Sequence, residues 1–214
     1  MRNDTENSFE QSHRLSQQQA DDAVSPYELT AILNEGGIKY VLIGGHVLGY
    51  LTGTPRATVD VDVIISSAHV AKAVKAIKAR YPQLTSEDLV YNVRFSSSRP
   101  SRVDPERIDV VRAENPFFQR IVDRHATPIQ SRGQRVYVPT VEAAIALKFA
   151  AAISPNRGDE NRPQDRIDLL AIVRKHRQLD LGTLAELGDL VYPGGGVELQ
   201  NFVRDVQAGK NVVI

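Results

Sequence analysis

Two aspartates, Asp60 and Asp62, stand two apart in the run Arg56-Ala-Thr58-Val-Asp60-Val-Asp62-Val-Ile-Ile65. In an extended strand residues i and i+2 share a face, so this spacing aims two carboxylates at one point among valines and isoleucines. Aspartate is disfavoured in strands, and two like charges side by side repel. A hard divalent cation with oxygen ligands, Mg²⁺ or Mn²⁺, relieves both costs. The plainer alternative is an exposed edge with solvated aspartates, or aspartates paired with arginine. Upstream, the apolar run Val41-Leu-Ile43 ends in Gly44-Gly45-His46. A strand that enters a helix through glycines brings backbone N–H groups close to an anion, and the helix start adds partial positive charge, which makes a phosphate cradle. Downstream, Asp109 lies inside the short apolar run Arg107-Ile-Asp-Val-Val111. If that strand lies beside the Asp60 strand, three carboxylates converge, an arrangement suited to two-metal phosphoryl transfer with metals roughly 3.5–4 Å apart. Asp104 precedes a proline in a loop and ranks below Asp109.

These residues need a sheet to hold them. The continuous apolar run 39–43, bounded by glycines, reads as a buried strand, and 46–51 as a short helix stopped by Gly53-Thr54-Pro55. Residues 58–65 read as a second strand and 67–81 as an amphipathic helix, with Val70, Val74, Ile77 and Tyr81 inward. Lys72, Lys75 and Lys78 then form a solvated face. Strands follow at 89–95 and 107–111, joined by a loop over 96–105. A helix runs from Asn115-Pro116 to about Arg124, and β-type stretches lie near 127–130 and 135–138. Arginines outnumber acids between Arg94 and Arg135, which marks an RNA-facing patch or an ordinary surface. Beyond Pro139 the pattern is helical, over 141–153, 163–176, 181–191 and about 197–207. The fold class is therefore α/β (α+β), a mixed β-sheet backed by helices with a helical C-terminal extension. The division is 1–25 as a polar extension, 26–138 as the core and 139–214 as a helical part packed on it.

Composition narrows the chemistry. Lys+Arg and Asp+Glu both number 26, so no overall basic excess marks a nucleic-acid coat protein. Cysteine is absent, which removes disulfides, thiolate catalysis and Cys-type zinc sites. No apolar run approaches the roughly 20 residues of a membrane helix, and the N-terminus has no secretory-type apolar stretch. The expectation is a cytoplasmic protein without membrane contact.

Taken in order, these motifs resemble the DNA polymerase β-type nucleotidyltransferase superfamily, whose signature is an apolar residue, Gly-Gly or Gly-Ser, a spacer, then two alternating aspartates and a later lone Asp. The chain is most similar to AbiEii-type and related small nucleotidyltransferases. The matching run is Gly44-Gly45-His46, then Gly53-Thr-Pro-Arg56-Ala-Thr58-Val-Asp60-Val-Asp62. A downstream helix with Lys148 and the segment Arg162-Pro-Gln-Asp165-Arg-Ile-Asp168-Leu169 complete the likeness, which spans about residues 27–177. The resemblance implies an enzyme that moves a nucleoside monophosphate from an NTP such as ATP to a hydroxyl, with Asp60, Asp62 and Asp109 as catalytic metal ligands. It implies nucleotide contacts from Gly44, Gly45, His46, Arg56, Thr58 and Lys148, with Asp165 and Asp168 in support. RNA or tRNA, protein and small molecules all stay open as acceptors. So does an antitoxin-type protein partner, since some relatives are toxins of toxin–antitoxin pairs. The rival readings are a catalytically degenerate nucleotide-binding module and a protein-interaction component of such a pair.

For several residues the reading stays double. Lys148 sits in a helix that is apolar almost all round, so its ammonium needs an anionic partner, NTP phosphate or Asp168, unless it snorkels to water. Asp165 suits a helix start by its charge, whereas Asp168 lies deeper and suits orienting Lys148 or an arginine. Arg56 and Thr58 suit phosphate or acceptor contact, or a turn. His46 suits a polar helix start better than a catalyst.

Overall fold

The computed structural model describes residues 2–19, 23–98, 106–155 and 162–212. It divides into two compact units, 1–138 and 139–214. Asp104 lies outside the described residues.

The first unit is built on a five-stranded sheet in the order β1-β2-β5-β4-β3. Its strands are β1 Tyr40–Ile43, β2 Val61–Ser66, β3 Leu84–Asp88, β4 Asn92–Ser97 and β5 Glu106–Ala113. β1 pairs antiparallel with β2, β2 parallel with β5, and β5 and β3 antiparallel with β4. The sheet is mixed because β2 returns to β5 through a 3₁₀ turn (Ser67–His69), helix α4 (Val70–Arg80) and the β3–β4 hairpin, the long crossover a parallel pair requires. The central strands are apolar because helices cover them. α5 (Pro116–Arg124) packs on β5, β2 and β1, and α4 packs on β2. Val61, Val63, Ile64, Ile65, Ile108 and Val110 have no exposed surface. A separate hairpin, β6 (Ala126–Ser131) and β7 (Gln134–Pro139), closes the unit.

α1 (Arg2–Gln19) packs against α3 (Gly45–Thr52), and α2 (Pro26–Glu35) against α4. α2 is capped by Ser25, whose hydroxyl accepts from the Glu28 N–H at 3.4 Å, with Pro26 in the first turn. The second unit holds four helices among the described residues, α6 (Val141–Ile153), α7 (Arg162–Lys175), α8 (Leu181–Val191) and α9 (Gly195–Gln207). Gly188 and Gly196 let α8 and α9 touch backbone to backbone, since a Cβ at Gly188 would meet Gly196 Cα at 2.7 Å. No described helix is long and apolar enough to cross a membrane.

Several strands differ from the pattern reading, β4 starting at Asn92 rather than 89 and β5 spanning Glu106–Ala113 rather than 107–111. β2 begins at Val61 rather than Thr58, because the amides ahead of it pair with α1 instead of a strand. β4 runs to Ser97, into the stretch read as a loop. β3 was not anticipated. Its sequence, Leu-Thr-Ser-Glu-Asp, is polar because it is an edge strand with only Leu84 buried.

Candidate active site

The register of the sheet brings the aspartates together. Asp62 of β2 and Asp109 of β5 are direct Cα partners in the parallel pair, so their side chains stand on the same face. Asp60 lies just ahead of β2, outside the ladder, and burial alternates through 60–63 in step with Asp60 and Asp62 facing one way. Both are half-buried between the buried Val59, Val61 and Val63. On the other side of Asp62, its partner in β1 is Ile43, so Gly44 follows directly beside it.

Gly44 has φ +79 and ψ −158, a conformation L residues rarely adopt, and a Cβ there would collide with the Asp62 carboxylate. The glycine therefore turns the chain and gives the carboxylate its space. Gly45 is confined in a different way, since an added Cβ would meet Thr58 at 2.8 Å. α3 starts at Gly45, and its first intrahelical bond is Leu48 N–H to the Gly44 carbonyl at 3.2 Å. The amides of that first turn lie before any intrahelical acceptor, as at every helix start.

The outer carboxylates are each held by a neutral donor. The Thr58 hydroxyl donates to Asp60 Oδ1, and the Asn92 amide donates to Asp109 Oδ1. Among the described residues, no group of three carboxylate or imidazole side chains closes to metal-ligand spacing. The donor set still suits a hard cation. Oxygens from Asp62 and Asp109 share one face of the sheet, Asp60 stands two residues before Asp62, and the glycine turn keeps side-chain atoms away from Asp62.

His46 is 1% exposed, and burial, with His13 nearby, depresses its pKa to about 3. Its imidazole stays neutral and packs edge-on against His13, the ring centroids 6.3 Å apart. That leaves backbone N–H as the part of His46 at the helix start. The Arg56 and Thr58 amides are engaged in holding the segment, as donors to Ser12 and Ser16 of α1.

In the second unit Lys148 donates to Asp165 Oδ1 at 2.9 Å and to Asp168 Oδ2 at 2.7 Å. Gln164 Nε2 fills the other oxygen of Asp168 at 2.8 Å. Asp168 is thus one of the two anionic partners the sequence offered for Lys148, the other being NTP phosphate. Asp165, read as a helix-start charge, is a second carboxylate partner and is 2% exposed.

The sequence pattern gave no place in the site to Asn92, and marked Arg94 only as the start of the arginine-rich stretch. Arg94 is the Cα partner of Asp109 across β4 and β5, and Glu87 is the partner of Arg94 on β3. Asp62, Asp109, Arg94 and Glu87 therefore form one row across the sheet face. The alternation of burial in β4 carries the signal, with Val93, Phe95 and Ser97 buried and Asn92 and Arg94 on the other face. A cavity of about 450 Å³ in this unit is lined by Asn34, Lys39, Tyr40, Asp123 and Tyr137 among others. It opens at the other end of β1 from Gly44 and takes no part in this site.

A glycine turn set against an aspartate of a parallel strand pair, in a mixed sheet backed by helices, is the layout of a nucleotidyltransferase. A solved structure of the same fold is an antigenic nucleotidyltransferase-like protein from Paracoccidioides brasiliensis, at 18% identity and TM-score 0.52, covering 89% of this chain and 96% of that one. The sequence is more specific: residues 29–202 match the family described as "Nucleotidyl transferase AbiEii toxin, Type IV TA system", and the chain belongs to that family. The antibiotic-resistance factor ANT(2'')-Ia is also similar, at 16% identity and TM-score 0.48, covering 86% of this chain and 91% of that one. No curated protein matches the sequence.

Proposed function

We propose that the protein is a Mg²⁺- or Mn²⁺-dependent transferase that moves a nucleoside monophosphate from an NTP to a hydroxyl of its acceptor, releasing pyrophosphate. The observation that carries this reading is the pairing of Asp62 with Asp109 on adjacent parallel strands, with Gly44 pressed against Asp62. When bound, the divalent cation would neutralise phosphate charge and lower the pKa of the attacking hydroxyl. Asp62 and Asp60 would hold it on the nucleotide side, and Asp109 would hold it on the acceptor side while serving as general base. The Gly44-Gly45 turn and the start of α3 would receive the phosphates through backbone N–H groups, since glycine allows close approach and the helix start favours anions. The family description names a toxin of a type IV toxin–antitoxin system. That supports a toxin role here, in a pair with an antitoxin, with RNA or tRNA, protein or a small molecule as the acceptor.

The test is incubation with each α-labelled NTP, Mg²⁺ or Mn²⁺ and total cellular RNA, in parallel with total protein. Label should enter a macromolecular band, and Asp62→Asn should abolish the transfer. Thermal stabilisation by Mn²⁺ plus ATP should also vanish in Asp62→Asn. A wild-type protein that neither transfers label nor gains stability with any NTP at millimolar concentration would overturn the proposal.

A further inference from the structure

α1 lies outside the stretch matched to the family, residues 29–202, yet within its own unit it reaches the candidate site at two points. Ser12 and Ser16 are four apart, so they share one face of the helix. Both have no exposed surface, although serine is a polar residue that must find partners when buried. Their hydroxyls accept from the backbone of the segment that leads into β2. Arg56 N–H donates to Ser12 Oγ at 2.9 Å, and Thr58 N–H donates to Ser16 Oγ at 3.4 Å. The Ser16 hydroxyl donates in turn to the Ser12 carbonyl at 2.8 Å, which leaves its lone pairs for Thr58.

Residues 54–58 have no regular secondary structure, so no strand ladder supplies partners for these amides. The same segment is one hydrogen bond away from the chemistry, because the Thr58 hydroxyl donates to the Asp60 carboxylate. The second point of contact is His13, 3% exposed, whose ring packs edge-on to His46 in the first turn of α3 and to Tyr27 at 5.7 Å. One helix face thus braces both the approach to Asp60 and the helix that follows the glycine turn.

We propose that Ser12 and Ser16 are positioning residues for the nucleotidyl-transfer site, holding the Arg56–Thr58 backbone so that Thr58 fixes the Asp60 carboxylate for the cation. The inference rests on the reading of Asp60 as a metal ligand. It makes α1 a working part of the site, although the helix falls outside the family match.

The full chain carrying Ser12→Ala and Ser16→Ala together is compared with wild type and with Gln17→Ala, a change on the exposed side of α1. Deuterium uptake over residues 54–60 is measured in metal-free protein, and Mn²⁺ affinity in the presence of ATP is measured by calorimetry. In the double variant local exchange should quicken and Mn²⁺ should bind at least about fivefold more weakly, the scale of one lost hydrogen bond. Circular dichroism and the melting temperature should show an intact fold, and Gln17→Ala should match wild type in both readouts. If the double variant melts, the two single variants carry the same comparison. Unchanged exchange and unchanged Mn²⁺ affinity in the variants would overturn the proposal while leaving the transferase reading intact. Wild-type protein that binds no Mn²⁺ with ATP would overturn both, and the exchange data alone would then show whether the serines hold the segment.

Discussion

In the proposed mechanism Asp109 serves as the general base. It stands in register with Asp62 on one side and Arg94 on the other, and it accepts from Asn92. A hydroxyl is a poor nucleophile until its proton is taken, so a carboxylate on the acceptor side is worth about a hundredfold or more in rate. Asp109→Asn keeps the shape and removes the charge. It should retain nucleotide binding by calorimetry while label transfer falls at least about a hundredfold. Lys148 is a different case. Its ammonium bridges two carboxylates whose side chains are 2% and 7% exposed. Lys148→Ala would take from both acids the ammonium they share. Removing one partner of a buried ion pair costs about 3–5 kcal/mol, and a loss of that order is expected in denaturant unfolding. A fully stable Lys148→Ala protein would mean that water reaches Asp165 and Asp168 and screens them.

At the scale of elements, the junction between β1 and α3 sets the geometry. Gly44 combines a positive φ with a contact that leaves no room for a side chain. Gly44→Ala must strain the backbone and displace the Asp62 carboxylate, at a cost of about 1–3 kcal/mol for the strained conformation alone. Thermal shift with Mn²⁺ and ATP should be lost in this variant even where the fold survives. Gly37→Ala serves as the control, since Gly37 also has a positive φ, +58, but open space for a Cβ. It should cost stability and leave the shift with Mn²⁺ and ATP intact. The motif of two glycines was legible in the sequence, because an apolar run that stops at glycines announces a strand entering a turn. The start of β2 was not legible. Thr58 and Val59 have strand-forming side chains, but the backbone amides of Arg56 and Thr58 are claimed by serines more than forty positions away. The polar edge strand β3 escaped notice for a related reason: an edge strand buries almost nothing, so it leaves no apolar alternation to read.

At the scale of the molecule, the buried histidines make the first unit sensitive to acid. His46 titrates at about 3 in the folded protein because it is buried, against 6.5 when unfolded. His13 is shifted downward as well, by burial and by Arg132, with Glu28 opposing. Below pH 6.5 the unfolded chain therefore binds more protons than the folded one, and stability falls as pH falls. His46 contributes a slope of about 1.4 kcal/mol per pH unit below pH 6.5, levelling off near pH 3, and His13 acts in the same direction. The melting temperature should drop between pH 6.5 and 4, and His46→Asn should flatten that drop. An unchanged slope in His46→Asn would assign the acid sensitivity to other groups.

The sequence by itself determined the chemistry on offer: two aspartates at strand spacing, a lone aspartate in a later apolar run, and a glycine turn ahead of them. These are short-range statements, set by the period of a strand and by the conformational freedom of glycine. It also determined the mixed sheet and the change to helices after Pro139, because hydrophobic periodicity reports which face of each element is covered. The tertiary structure alone decided that Asp109 pairs with Asp62 rather than with another strand, that Arg94 joins the same row, and that Asp165 shares Lys148 with Asp168. It also decided that α1, a polar helix with two buried serines, closes on the segment before Asp60. Strand order and side-chain pairing between distant segments depend on which surfaces the whole chain can bury at once. No window of local sequence contains that information.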